Sequence, residues 1–300
     1  MIIYVRYATH QKIYLALLKI NGLDIISNLC HYTKMANILN IQFSPIIGNK
    51  TENLKRIEKF IFENANKNLD LIVMPEFFST AVENKINITE PSCGGEVINF
   101  LSEIAKKYNT NIICGTVLEK EGEKIYNTSF ALDRKGEILG KYRKIHLFRF
   151  FGGQEHKSTT SGDKEIVIDF DFAKVGLSIC FDIKYPLHFK KLIKMGAEII
   201  VSPSAWLLPE SINQKEKEIF INTWKATNIC RASESLVYFV SSNLAGKPIS
   251  GFDAIGNSMI TAPSGEVISQ ADEKETVLFA NLDMNIVREL KKAVPIYKID

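Results

Sequence analysis

The sequence predicts an α/β protein, a four-layer α-β-β-α sandwich built from two β-α-β-α-β-β halves. Three observations lead there. Apolar runs centred on Leu71–Met74 and Ile199–Val201 have the composition of strands covered on both faces rather than strands with one wet face. Amphipathic stretches separate these runs, which is the order expected of parallel strands joined by crossover helices. The second half of the chain also echoes the first. Leu71-Ile72-Val73-Met74-Pro75-Glu76 resembles Ile199-Ile200-Val201-Ser202-Pro203-Ser204, and Arg134-Lys135-Gly136-Glu137-Ile138 resembles Pro263-Ser264-Gly265-Glu266-Val267. Crossover helices cover one face of each half-sheet, so the two remaining apolar faces are expected to pack on each other.

Element by element, the organised pattern begins near Met35. Ile38–Phe43 reads as a short β-rich run ended by Ser44-Pro45. Thr51–Asn68 reads as an amphipathic helix, with Leu54, Ile57, Ile61 and Ala65 on one face. The strand Leu69–Met74 follows, then a helix over Glu96–Tyr108 that turns Val97, Phe100, Leu101, Ile104 and Ala105 inward. Asn111–Leu118 and Tyr126–Leu132 read as strands, and Asp133-Arg134-Lys135-Gly136 as a hairpin turn whose glycine supplies positive φ. In the second half the pattern predicts a strand over Lys174–Phe181, a helix over Leu187–Met195 and a buried strand over Glu198–Ser202. A long helix over Lys215–Ser233, a strand over Leu236–Ser241 and a hairpin over Asn257–Ile268 complete it.

Composition narrows the function classes. With 300 residues, 46% hydrophobic and 24% charged, the chain can bury a sizeable core as one large domain or two small ones. A net charge of +3 argues against nucleic acid or an anionic membrane as the main partner. The five cysteines, Cys30, Cys93, Cys114, Cys180 and Cys230, are odd in number, scattered and without a CxxC pair, which favours a reducing cytoplasm. Ile13–Ile20 contains an apolar run too short to span a bilayer and followed by no cleavage site, and no membrane anchor is expected elsewhere. The histidines His10, His31, His146, His156 and His188 show no metal-ligand spacing, and no phosphate-cradling glycine loop is present.

In α/β sheets the reactive groups gather beyond the carboxyl ends of strands. Glu76 stands there after Pro75, and Cys180 stands there after Val175–Ile179, with a helix start at Pro186-Leu187 a few residues on. A helix amino end is expected to favour a thiolate. Taken singly, each candidate has an ordinary explanation: Cys180 as a small core residue, Glu76 as a turn or cap, and Lys144 as part of a solvated basic surface over Gly140–Lys144.

In order along the chain, however, these segments resemble the nitrilase, or carbon–nitrogen hydrolase, superfamily. Leu71–Phe77 matches its glutamate after a hydrophobic strand and proline, Tyr142–Phe148 its lysine segment, and Gly176–Asp182 its cysteine segment. The likeness extends to Glu155, Gly162, Arg231-Ala232, Glu234 and Asn243, over about Ile38 to Pro295. It implies the same four-layer sandwich. It also implies that Cys180 attacks an amide or nitrile carbon to form a thioester, with Glu76 as general base. Lys144 and the backbone N–H of Phe181 would stabilise the oxyanion, and Glu155 would hold lysine and substrate in place. A cation beside the thiol should favour the thiolate. No metal or organic cofactor is implied.

Phe148, Phe150, Phe151 and Trp206 are candidate pocket walls. The short His146–Glu155 loop resembles the ω-amidase branch, which puts small carboxylated amides first, N-carbamoyl amines or acids next and nitriles last. The resemblance further implies a homodimer or higher homo-oligomer packed through helix-bearing faces, with a small amide as the partner molecule. One departure stands out: Lys184-Tyr185-Pro186-Leu187 replaces the usual Arg-Phe-Pro-Glu, losing a bidentate donor and a carboxylate. Met1–Lys34 has no counterpart and is expected to be an extension or a misassigned start, leaving residues 35–300 as the hydrolase domain. A short tail beyond Pro295, common in the family, is expected to be lacking.

Three rivals are weaker. Gly176-Leu177-Ser178-Ile179-Cys180 lacks the final glycine of an α/β-hydrolase elbow. A cysteine–histidine pair would use His146 or His188, neither in a distinctive setting. A catalytically idle binding protein on the same fold would have no need of Glu76, Lys144 and Cys180 together.

Overall fold

The computed structural model describes residues 34–81, 89–150 and 153–296. Met1–Lys34, apart from Lys34 itself, lies outside the described residues, and so does Phe151. The first half runs β1 (Met35–Gln42), α1 (Lys50–Asn64), β2 (Leu71–Val73), β3 (Thr89–Pro91), α2 (Glu96–Tyr108), β4 (Asn111–Ile113), β5 (Val117–Glu121), β6 (Lys124–Leu132) and β7 (Ile138–Arg143). The second begins with β8 (Val167–Asp169), β9 (Lys174–Leu177), α3 (Pro186–Lys194), β10 (Ile199–Ser204), β11 (Leu207–Pro209) and α4 (Gln214–Ser235). It ends with β12 (Tyr238–Asn243), β13 (Phe252–Ala254), β14 (Met259–Thr261), β15 (Val267–Gln270), β16 (Thr276–Asp283) and α5 (Met284–Ala293).

The repeat read from sequence is present in the topology. In one sheet β1, β2 and β4 run parallel and β6 returns antiparallel. In the other β9, β10 and β12 run parallel and β14 returns antiparallel. The echoed segments occupy equivalent places, the second strand of each set and the turn after the fourth. The halves are nevertheless not self-contained. β16, from the end of the chain, pairs antiparallel with β1 from Met35↔Asp283 to Gln42↔Thr276 and so completes the first sheet.

Side-chain alternation along single strands builds the four layers. Ile38, Leu71, Val73, Leu177, Ile199 and Val240 pack between the sheets. Leu39 and Ile72 turn the other way to meet Leu54, Ile57 and Ile61 of α1 and Val97 and Leu101 of α2. Ile200 and Phe239 likewise meet Phe189 and Leu192 of α3 and Trp224 of α4. α4 starts on a reciprocal cap, with Asn213 Oδ1 accepting from Glu216 N at 3.0 Å and a Glu216 carboxylate oxygen accepting from Asn213 N at 3.3 Å.

Helix Glu96–Tyr108 has the expected bounds, and several other expectations need correction. The helix expected over Thr51–Asn68 ends at Asn64, tightens into a 3-10 turn over Ala65–Lys67 and stops at Asn68, whose φ is 50°. The strand expected over Asn111–Leu118 is two strands, broken at Gly115 with φ 52°. A Cβ there would lie 2.2 Å from the Pro75 carbonyl oxygen, so the backbones approach as only glycine permits. The strand expected to reach Phe181 stops at Leu177.

The basic segment Gly140–Lys144 is not a solvated surface. It is the end of β7 and its continuation, drawn in by one buried carboxylate on β5. Glu119 accepts from Lys141 Nζ at 2.6 Å, Arg143 Nε at 3.0 Å and Thr128 Oγ1 at 2.7 Å. With Lys141 and Arg143 committed to that side, alternation sends Tyr142 and Lys144 to the interior.

Candidate active site

Glu76, Lys144 and Glu155, far apart in sequence, converge. Lys144 Nζ donates to Glu76 Oε1 at 2.9 Å and lies 3.0 Å from Glu155 Oε2. The Glu76 and Lys144 side chains are each 2% exposed. Glu76 is aimed by the turn after β2, where Phe77 has φ 57° and its N–H donates to Thr116 Oγ1 at 3.1 Å. Lys144 is fixed through its backbone: its N–H donates to the Asn127 carbonyl at 2.9 Å and its carbonyl accepts from Gly162 N at 2.9 Å. A side chain at Gly162 would strike the Arg143 carbonyl at 2.2 Å, which accounts for glycine there. Glu155 opens a 3-10 turn over Glu155–Lys157, and its Oε2 accepts from Phe148 N at 2.8 Å.

Cys180 comes to this cluster from the other sheet. It has φ 48°, a left-handed conformation that costs a non-glycine residue about 1–2 kcal/mol, and it begins a five-residue 3-10 helix, Cys180–Lys184. Buried Asp182 pins that turn. Its Oδ2 accepts from Ile179 N at 2.9 Å and Tyr142 Oη at 2.7 Å, and its Oδ1 accepts from His146 N at 3.0 Å and faces His146 Nδ1 at 2.7 Å. One carboxylate thus ties the cysteine turn to the strand that carries Lys144. The Phe181 N–H, in the first turn of the 3-10 helix, has no intrahelical acceptor. The charge of Glu76 and the Ala205 N–H, a donor the sequence reading did not single out, both act on the thiol.

Burial pushes the Cys180 thiol well above its ordinary pKa and the Glu76 charge adds to that, while Lys144 and the Ala205 N–H pull it down. The expectation that Lys144 and a helix amino end would hold a resting thiolate is therefore corrected. The cation is shared by two carboxylates, and the α-helix expected at Pro186-Leu187 is present but separated from Cys180 by the 3-10 turn Cys180–Lys184. Burial also raises Glu76, helped by Glu155 and opposed by Lys144. Burial would raise Glu155 too, but Lys144, Asn127 and the Phe148 N–H outweigh it and hold that carboxyl low. Burial would lower Lys144, and the charges of Glu155, Glu76 and Cys180 overcome it and hold the ammonium protonated. The arrangement can pass a thiol proton to a carboxylate of raised affinity beside a fixed cation.

Both histidines of the cysteine–histidine alternative are engaged elsewhere. The His146 ring faces Asp182 and stacks on Tyr185 at 3.6 Å between centroids. Buried His188 points Nε2 at the Leu177 carbonyl, 3.2 Å away, and burial lowers its pKa. Among the described residues no group of three or more His, Cys, Asp or Glu side chains is placed to hold a metal ion.

Of the expected walls, Phe148 and Phe150 pack against Phe181 at 5.3 and 5.6 Å. Trp206 lies against Trp224 at 4.9 Å between ring centroids, next to Ala205, with its backbone N–H donating to Asn243 Oδ1 at 2.9 Å. Asn127 was missed by the sequence reading. It lies on β6, fully buried, and donates to Glu76 at 2.7 Å and Glu155 at 2.9 Å. The available signal was a polar run, Asn127-Thr128-Ser129, between the apolar stretches Ile125-Tyr126 and Phe130–Leu132 of one strand.

Residues 40–292 match the carbon-nitrogen hydrolase family. The 2-oxoglutaramate amidase of Bacillus subtilis is 29% identical over 260 residues, covering 86% of this chain and 94% of that protein. Omega-amidase NIT2 of Xenopus tropicalis is 31% identical over 267 residues, covering 85% and 91%. The crystal structure of Nit3 from Saccharomyces cerevisiae, a member of branch 10 of the nitrilase superfamily, superposes with a TM-score of 0.76 at 27% identity, covering 88% of this chain and 96% of that one.

Proposed function

The chain belongs to the carbon–nitrogen hydrolase family of the nitrilase superfamily, and from that premise we propose that it hydrolyses a small ω-amide bearing a carboxylate, with Cys180 as nucleophile. The buried Glu76–Lys144–Glu155 cluster, whose Glu76 and Lys144 charges act on the Cys180 thiol, carries this reading. Glu76 takes the thiol proton as Sγ attacks the amide carbon. The oxyanion forms beside Lys144 and the N–H groups of Phe181 and Ala205. The C–N bond breaks, ammonia leaves with the proton returned by Glu76, and water activated by Glu76 hydrolyses the thioester.

Support for a carboxylated substrate comes from the names of the relatives and from Lys184. Its Nζ lies 5.1 Å from the centre of the Trp206 ring, and burial and then Arg231 lower its pKa with no carboxylate among the described residues opposing them. A substrate carboxylate supplies the missing counter-charge. Ammonia release should be fastest from ω-amides, ahead of N-carbamoyl compounds and nitriles, and Lys184→Gln should raise KM for the carboxylated amide roughly tenfold or more. Activity confined to N-carbamoyl compounds would overturn the ω-amide reading.

We also propose a homo-oligomer packed through the helix faces, because Leu187 at the start of α3 is 72% exposed, with exposed Tyr185 before it. Light scattering on the purified protein should give at least a dimer mass, and a monomer would remove this reading. The four cysteines among the described residues are unpaired, which fits a reducing cytoplasm and is tested by cell fractionation. No helix among the described residues is long and apolar enough to cross a membrane.

A further inference from the structure

Besides Lys144, Asn127 is the side chain that touches both carboxylates of the cluster. One Nδ2 group donates to Glu76 Oε1 at 2.7 Å and to Glu155 Oε1 at 2.9 Å, while the Asn127 carbonyl accepts from Lys144 N at 2.9 Å. The orientation of the amide is forced, since turning it over would set Oδ1 against two carboxylate oxygens. In the orientation it adopts, Oδ1 is buried without a donor among the described residues. That is a cost a purely structural asparagine would shed. Its neighbours are anchored as well: Thr128 and Arg143, flanking Asn127 and Lys144, both donate to buried Glu119.

We infer that Asn127 is a positioning residue of this site, its two amide hydrogens spacing Glu76 and Glu155 around Lys144 so that Glu76 stays ionised and directed at Cys180. The inference rests on the reading of Glu76 and Cys180 given above. A carboxylate oxygen accepts these hydrogens more strongly than the carbonyl oxygen of a neutral carboxyl, so the amide favours the charged form of each acid. The charged or titratable groups facing Glu76 are Lys144, Glu155 and Cys180, and Lys144 alone cannot satisfy both carboxylates. An apolar residue at 127 would leave the two acids competing for one ammonium. An aspartate would add a third charge to the same space.

The test is the pH dependence of kcat/KM for ammonia release by Asn127→Leu and Asn127→Asp beside the wild-type protein. The acid limb should move up by about one pH unit in Asn127→Leu, with kcat at neutral pH falling about ten- to a hundredfold and KM changing far less. Asn127→Asp should move the limb in the same direction, which keeps the inference testable if the leucine variant fails to fold. A limb at the wild-type position in either folded variant, or activity within twofold of wild type, would overturn it. Cys180→Ala measured in parallel separates the two levels. If Cys180→Ala is inactive and the Asn127 variants have wild-type profiles, only this inference fails. If Cys180→Ala turns over normally, the reading of the site falls and this inference with it.

Discussion

Cys180→Ala should abolish ammonia release, lowering kcat by about 10⁴-fold or more while leaving the fold intact. The magnitude follows from the two-step route: without a sulfur there is no thioester, and what remains is whatever Lys144 and the backbone donors lend to direct attack by water. The fold should survive for reasons visible at the residue. The left-handed backbone at Cys180 costs alanine no more than cysteine, and the turn is held by Asp182 through Ile179, Tyr142 and His146 rather than by the thiol. Removing the sulfur also removes a buried thiol whose ionisation burial and the Glu76 charge disfavour. A circular-dichroism melt matching wild type beside a dead assay is the expected pair of results. Turnover equal to wild type would exclude Cys180 as nucleophile.

Glu76→Gln should lower kcat by roughly 10²- to 10⁴-fold, because the amide keeps the shape and an acceptor for Lys144 but cannot take a proton. The pH profile gives the sharper readout. Burial raises the Glu76 pKa above its ordinary 4.5, so wild-type kcat/KM should fall as pH drops through a limb above the usual carboxylate range, and Glu76→Gln should lose that limb. Stability should move the opposite way. A carboxyl with a raised folded-state pKa favours the folded protein below its unfolded pKa, and that contribution is lost as pH rises through the folded value. At neutral pH the glutamine protein should therefore melt no lower than wild type. An unchanged acid limb in Glu76→Gln would assign the base to another group.

Much of this arrangement was legible in the sequence, and the rest was hidden for identifiable reasons. The helix Glu96–Tyr108 came out with its bounds because its apolar face repeats at helical spacing between a glycine and an asparagine that takes the left-handed conformation. The repeat of the two halves came from local pattern, since equivalent strands and turns use similar residues. The pairing of β16 with β1 left no such mark, because it joins segments more than 230 residues apart and is set by the closing of the sheet. The turn at Cys180 read as strand because its apolar run continues to Phe181, while the conformation at residue 180 is imposed by Asp182 and the packing around it. Lys144 looked solvated because Lys141 and Arg143 flank it, and only the position of Glu119 on β5, across β6, reveals which side each basic residue takes. Asn127 and the Ala205 N–H were missed for a related reason: their roles come from what the fold sets against them and not from their neighbours in the chain.

The most direct test of Cys180 as the nucleophile is to quench the wild-type protein with acid during turnover of a slowly hydrolysed ω-amide and to map the peptides by mass. The expected result is the acyl portion of the substrate, less ammonia, on the peptide containing Cys180, and its release by hydroxylamine as a thioester requires. Continued turnover with Cys180 unmodified and the acyl group on another residue would contradict it.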